Sequence, residues 1–264
     1  MRFGFIIEPP FNDRSAAGDV VGCDVELAAH VADVLGEAFE PIETQFAQML
    51  PGLVDERWDM TTGLFETPER RKMASFTRPI WALPDGLLVP SENPLGLSGY
   101  RSAAATGARL GVLRDQIQHN RALANGVPPE RLVVGEDYEE MAALVVRGDV
   151  DAYASVLRAH EGFLIRTREQ RLGARPVPVA EAPASAGAFA VRRGDSERLA
   201  ATNAALLEHV GSAAHRAAME RWGFRAVPDR MESFAPEKPP DFQRGGHFAR
   251  AACGAKCPSA ADVD

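Results

Sequence analysis

Thr67-Pro68-Glu69-Arg70, followed shortly by Phe76-Thr77-Arg78-Pro79-Ile80-Trp81, is the stretch from which the rest of the chain is read. Thr67 has the side chain of a helix N-cap, and Pro68 suits the first helical position, where a missing N–H costs nothing. The spacing predicts a helix starting here. Arg70 would lie in its first turn, beside free backbone N–H groups and the positive end of the dipole. A guanidinium in that place, turned into a cleft, suits a carboxylate held by two parallel hydrogen bonds. On these four residues alone, an arginine lying on its own helix surface is the simpler reading.

The segments on either side alternate strand and helix. Arg2 to Ile7 is strand-like and runs on into Glu8-Pro9-Pro10-Phe11. A polar loop, Asn12 to Gly18, precedes a helix N-capped by Asp24 and stopped at Gly36, with Val25, Ala28, Ala32 and Leu35 on one face. Pro41 to Gln45 reads as a strand, Gln48 to Glu56 as a short helix and Trp58 to Leu64 as a third strand. Pro79 to Gly99 is punctuated by Pro and Gly and reads as a crossing between two bodies. The plan then repeats: strand Ala108–Leu113, helix Asp115–Leu123, strand Arg131–Val134, helix Tyr138–Val146, strand Val150–Val156 and helix Leu157–Arg168. Val177–Val179 and Gly187–Val191 are the strand-like return crossing. Leu199–His209 and Ala213–Trp222 are amphipathic helices closing the first body.

An internal echo supports two bodies of one design. Met49 precedes Asp59 by the same spacing as Met141 precedes Asp151, and each pair frames a helix, a turn and an Asp-started apolar strand. The implied fold class is α/β with two lobes, each a mostly parallel sheet flanked by helices, joined by a two-strand hinge. The expected division is residues 1–86 with 184–227 for the first lobe and 87–183 for the second. Residues 228–264, rich in Pro and small residues, read as a poorly ordered tail.

At 264 residues, 45% hydrophobic and 25% charged, the composition is that of an ordinary globular protein with room for two modest cores. A net charge of −8 argues against nucleic-acid partners and anionic membrane surfaces. No apolar run is long enough to span a bilayer, so direct membrane insertion is not expected. No export signal is visible. The expected location is periplasmic or extracytoplasmic for a mature form and cytoplasmic if the sequence is complete. Cys23 stands alone, and the Cys253/Cys257 pair is weak as a zinc signature. There is no nucleophile elbow, phosphate-cradling Gly loop or metal-ligand set, so neither cofactor nor metal is expected.

Several stretches, in order, resemble the type-2 periplasmic solute-binding proteins of amino-acid ABC transporters, the family-3 extracellular solute-binding domain. They are Pro10-Phe11, Gly22-Cys23-Asp24-Val25-Glu26-Leu27-Ala28, Phe46 with Leu50-Pro51-Gly52-Leu53, Trp58-Asp59, Thr67 to Lys72, Phe76 to Pro79, Gly148 to Ala152 and Ala190 to Asp195. The resemblance covers about residues 2 to 225. It implies a small ligand held between two lobes at the hinge, its carboxylate gripped by Arg70 with donors from Thr62, Gly63 and Phe65, and Phe46 stacking on it. It also shows departures. Phe65 stands where a hydroxyl residue is usual, and Glu8 where a Tyr lid is common. Asp115, Gln116 and Ile117 occupy the Gly-Ser/Thr-Thr loop, and Val156 replaces the Asp that holds an ammonium. Glu8 or Asp115 is then left to supply the missing anion, because a buried ammonium without a carboxylate is expensive.

The expected function is binding a small carboxylate-bearing solute as the substrate-binding component of an ABC-type transporter, with a permease as a possible partner. Two alternatives stay open: an enzyme of dehydratase or lyase type with Glu8 or Asp115 as acid or base, and a degenerate ligand-sensing module. His119 and His160 are expected near the second-lobe side of the cleft. The His160-Glu161 pair serves acid–base chemistry only if both face it.

Overall fold

The computed structural model describes residues 1–224. The expected tail, with Cys253 and Cys257, lies outside the described residues. The first half of the chain forms β1 (Arg2–Phe5), β2 (Asp13–Arg14), β3 (Val20–Val21), α1 (Cys23–Val34), β4 (Glu40–Glu43), α2 (Met49–Val54), β5 (Met60–Thr61), β6 (Leu64–Phe65), β7 (Ala74–Phe76), β8 (Trp81–Leu83) and β9 (Asp85–Pro90). There follow α3 (Tyr100–Thr106), β10 (Leu110–Leu113), α4 (Ile117–Ala124), β11 (Leu132–Gly135), α5 (Tyr138–Arg147), β12 (Ala152–Val156) and α6 (Leu157–Thr167). The described chain closes with β13 (Leu172–Pro176), β14 (Ser185–Ala188), β15 (Ala190–Arg192), α7 (Ser196–His209) and α8 (Ala213–Arg221).

Two five-stranded sheets carry the two lobes, in the orders β4-β1-β5-β15-β7 and β11-β10-β12-β9-β13. Each has a parallel trio with the first strand in the middle, then an antiparallel strand contributed from the other side of a crossing. The registers correspond: Gly4 faces Ile42 and Thr61, and Gly111 faces Val133 and Tyr153. The echo has the same chemistry in both lobes. Asp59 accepts from the Arg2 backbone N–H at 2.7 Å and from its guanidinium at 2.7 Å. Asp151 accepts from the Arg109 N–H at 2.7 Å and from its guanidinium at 3.2 Å. Burial acts to raise both carboxyls, and the arginine bonds outweigh it and hold them below the ordinary range. Apolar faces then close on each sheet: Phe3, Phe5, Val31 and Met60 in the first lobe, Leu87, Leu110, Val112 and Ala152 in the second, all buried.

A third sheet, β6-β14-β8, lies where the chain passes between the lobes. The outward passage runs directly from β8 into β9, so the expected Pro79–Gly99 crossing holds two strands before its turns, and α3 follows it. The Trp58–Leu64 strand divides at Thr62–Gly63 into β5 and β6, which belong to different sheets. The return strand is β13, earlier than Val177–Val179. The Thr67 helix is a single 3-10 turn over Arg70–Lys72. Its N-cap is Glu69, and Thr67, expected as the cap, accepts from the Arg70 N–H through its Oγ1 at 3.2 Å from two residues further out. The turn stops because β7 begins at Ala74 and must pair with β15.

Candidate functional site

Trp81 of β8 forms the floor of the interlobe cleft, and the sequence around it is shaped to its ring. A Cβ at Gly187 would fall 1.9 Å from the indole and one at Gly63 2.5 Å, so only glycine lets β14 and the β5–β6 junction approach it. Phe65 packs edge-on at 5.4 Å between ring centroids. The indole N–H donates to Asp24 Oδ1 at 3.0 Å.

Asp24 departs from its sequence reading. Gly22 is the N-cap of α1, and Asp24, two positions further in, is buried. Its Oδ2 accepts from the Thr62 hydroxyl at 2.7 Å and the Gly63 N–H at 2.8 Å. Asn12 donates to the Thr62 hydroxyl at 2.8 Å. Burial raises the pKa of Asp24, and the bonds from Thr62, Gly63 and Trp81 act against that rise. Thr62 and Gly63, expected as donors to a ligand, are therefore committed to a carboxylate of the protein itself.

An inner cavity of about 40 Å³ lies above this floor, with room for about three waters. Glu8, Phe46, Thr62, Gly63, Phe65, Arg70 and Gln116 all line it, and so does Val156 at the end of β12. Seven of the eight expected ligand residues thus meet around one space. Asp115 does not. It lies exposed on an outer groove of about 580 Å³, together with His119. Its φ of 62° is left-handed, a conformation Asp adopts more readily than most residues. Arg70, Phe46 and Gln116 line both spaces, so the guanidinium stands at the passage between them.

Arg70 spans the two lobes. One guanidinium nitrogen donates to the Phe65 carbonyl at 2.7 Å and the other to the Asp115 carbonyl at 2.8 Å. The group lies over the Phe46 ring, 5.3 Å from its centroid, so the arginine covers the face expected to stack on a ligand. Among the described residues no carboxylate pairs with it. Burial pushes its pKa down to about 10, against the opposing charge of Asp115, so it is a cation at neutral pH.

Glu8 sits across the cavity, in a turn closed by its own bridge to Asn12. Ser155 of β12 donates to its carboxyl at 3.3 Å. Burial raises its pKa to about 7, with the Ser155 bond lowering it and the Asp24 charge raising it further. The Gln116 side-chain oxygen is buried without a hydrogen-bond partner. Val156 gives the adjoining wall an apolar surface.

His160 is fully buried, not in the cleft. Its ring meets the Tyr138 hydroxyl at 2.6 Å and the Gly86 carbonyl at 3.2 Å, and burial lowers its pKa to about 3. Glu161 pairs with Arg158 at 2.7 Å. The two do not act as an acid–base pair. Sequence reading missed Ser155, a small hydroxyl inside an apolar strand, and the Asp85–Arg121 pair at 2.5 Å. Arg121 also bonds the Ser185 hydroxyl at 2.5 Å, tying α4 to the start of β14. The Pro84-Asp85-Gly86 order, which reads as a turn, was the available signal for Asp85.

The sequence profile of the bacterial extracellular solute-binding proteins, family 3, matches residues 1–225. A probable amino-acid ABC transporter periplasmic-binding protein of Sinorhizobium fredii is 26% identical over 235 residues, covering 84% of this chain and 78% of that protein. The histidine-binding periplasmic protein of Salmonella typhimurium is 24% identical over 208 residues, covering 75% of this chain and 77% of that one. Among solved structures, EhuB in complex with hydroxyectoine superposes with a TM-score of 0.77 at 27% identity, over 85% of this chain and 88% of that one.

Proposed function

This chain belongs to the family-3 bacterial extracellular solute-binding proteins, and from that premise we propose that its cleft binds a small solute through a carboxylate held by Arg70. The observation that carries the reading is a half-buried guanidinium in the cleft whose hydrogen-bond partners are two carbonyls. Such a charge is stabilised far more by a carboxylate than by neutral acceptors. Phe46 and Phe65 would flank the ligand's apolar part, and Gln116 and Glu8 would supply polar contacts. Asp115 would meet the ligand at the mouth through its backbone.

At about 40 Å³ the inner cavity is too small for such a solute, so loading would require the lobes to part. Residues 1–86 and 184–227 would move against 87–183 about the β8–β9 and β13–β14 passages. Arg70, released from Asp115, would turn to the ligand, and closure would present a shape read by an ABC permease. Relatives named as periplasmic binding proteins support an extracytoplasmic setting for that partnership. Relatives and neighbours bear names for histidine, arginine and hydroxyectoine, all solutes carrying carboxylates, which fits the same anchor.

A thermal-shift screen of the twenty common L-amino acids, their 2-hydroxy and 2-keto acids and hydroxyectoine tests the reading. A carboxylate binder rises in melting temperature with at least one of them. No rise across the set at millimolar concentration contradicts it.

A second reading, acid–base chemistry on a bound acid, draws on one observation: Glu8 has a carboxyl near pKa 7 facing the same cavity. Turnover of a screened hit, followed by NMR, separates it from binding alone.

A further inference from the structure

The two passages between the lobes meet at one side chain that lines neither the inner cavity nor the outer groove. Arg121 lies on α4 of the second lobe, its side chain 18% exposed. One guanidinium nitrogen donates to Asp85 Oδ1 at 2.5 Å, where the outward passage becomes β9. The other donates to the Ser185 hydroxyl at 2.5 Å, where β14 begins, and to the Pro183 carbonyl at 3.3 Å just before it. The same guanidinium stands 5.7 Å from the centroid of the Phe65 ring in β6.

The two ends of this clasp belong to different bodies. Asp85 is fully buried on the second-lobe side, accepting from the Tyr100 hydroxyl of α3 at 2.5 Å and the Gln118 amide of α4 at 3.0 Å. Ser185 pairs with Leu83 of β8, in the sheet that also holds β6. Asp85 therefore aims the guanidinium, and the contacts to Ser185 and Phe65 reach across to the part that turns against α4 when the lobes separate. A planar guanidinium can hold both acceptors at once, and its bonds are stronger than those between neutral groups.

Resting on the hinge motion proposed above, we propose that Arg121 is a positioning residue that holds the cleft shut: its contacts to Ser185 and Phe65 belong to the closed arrangement and break on opening. It touches no ligand and acts through the closed population, which sets the apparent affinity of whatever enters. The inner wall is built on it. Phe65 lies under the guanidinium, Gln118 and Val156 adjoin Asp85, and Leu83 adjoins Ser185; all four line the inner cavity. Phe65 also gives its carbonyl to Arg70, so the clasp and the carboxylate anchor share one residue.

The experiment uses ligand-free, full-length protein carrying Val156→Cys. That substitution puts a thiol in the wall of a cavity of about 40 Å³, too small for N-ethylmaleimide until the lobes part. Its labelling rate follows the open fraction, while Cys23, buried in the first-lobe core, reports unfolding. Peptide mass spectrometry reads both. Arg121→Lys keeps a cation on Asp85 but has no second nitrogen for Ser185, and Ser185→Ala removes the hydroxyl alone. Each is expected to speed labelling of the introduced thiol about 10-fold, the worth of one charge-assisted hydrogen bond, with Cys23 within about 2-fold of native. Ser185→Thr, which restores the hydroxyl, is expected within about 3-fold of native. An unchanged rate in Arg121→Lys or Ser185→Ala overturns the assignment, and so does an equal rise at Cys23, which would make Arg121 a general stabiliser. Should Arg121→Lys fail to melt cooperatively, Ser185→Ala decides, since it leaves the Asp85 pair whole. A native-background thiol that labels as fast as a free one overturns the clasp and the closure it rests on. With no ligand present, none of these outcomes bears on the carboxylate reading, which the thermal-shift screen decides.

Discussion

Glu8→Gln has a consequence for stability that needs no ligand. With a folded pKa of about 7 against the ordinary 4.5, Glu8 holds its proton more tightly in the folded state than in the unfolded one. Below pH 4.5 both states are protonated, and the site contributes its full stability. As the pH rises from 4.5 towards 7 the unfolded chain releases the proton first, so stability falls; above about 7 the loss is complete. The distance from 4.5 to about 7, at ~1.36 kcal/mol per pH unit, corresponds to about 3 kcal/mol. Gln resembles the neutral acid, so the variant escapes this loss. It should match the native protein near pH 4.5 and exceed it by about 3 kcal/mol at pH 8, or roughly 6–12 °C in melting temperature for a chain of this size. Buried histidines run the other way. His160 and His215, with pKa values lowered to about 3 and about 4, cost stability as the pH falls below the ordinary 6.5. They are common to both proteins and cancel in the difference. Urea unfolding of the two proteins at pH 5 and pH 8 measures it. A difference that is the same at both values, or one favouring the native protein at pH 8, refutes the burial argument for Glu8.

Asp24→Ala leaves the Thr62, Gly63 and Trp81 donors without their acceptor inside the hinge, and should cost about 3–5 kcal/mol, read as a fall in melting temperature. A loss below about 1 kcal/mol would mean that water replaces the carboxylate there. Gly187→Ala puts a methyl into the Trp81 ring and should destabilise by at least about 1–3 kcal/mol, with a shift in tryptophan fluorescence. An unchanged spectrum and melting temperature would show that β14 moves aside freely.

The two-lobed plan is readable in the chain because both lobes solve one local problem with the same residues. The Met49–Asp59 and Met141–Asp151 spacings mark strand starts clamped by Arg2 and Arg109, and short-range pattern suffices to show them. Motif order proposed eight ligand residues, and seven of them line one cavity. What the pattern did not show depends on long-range pairing. Asp24 looks like a helix cap because caps and inward carboxylates share residue types. Only the packing of α1 against the β5–β6 junction separates them. The strand assigned to Trp58–Leu64 hides a change of sheet for the same reason. The Thr67 turn is cut short by the pairing of β7 with β15, far away in sequence. Ser155 carries no signal in an apolar strand until Glu8 is placed opposite it.

Arg70 is the residue on which the account rests. Calorimetry of the strongest carboxylate hit against native protein and Arg70→Ala is the most direct test, with circular dichroism confirming that the variant folds. Loss of a buried charge pair predicts binding weaker by about 30-fold or more, a cost of ~2 kcal/mol at least. Affinity retained within about 3-fold in a folded Arg70→Ala protein would contradict the assignment of Arg70 as the carboxylate anchor.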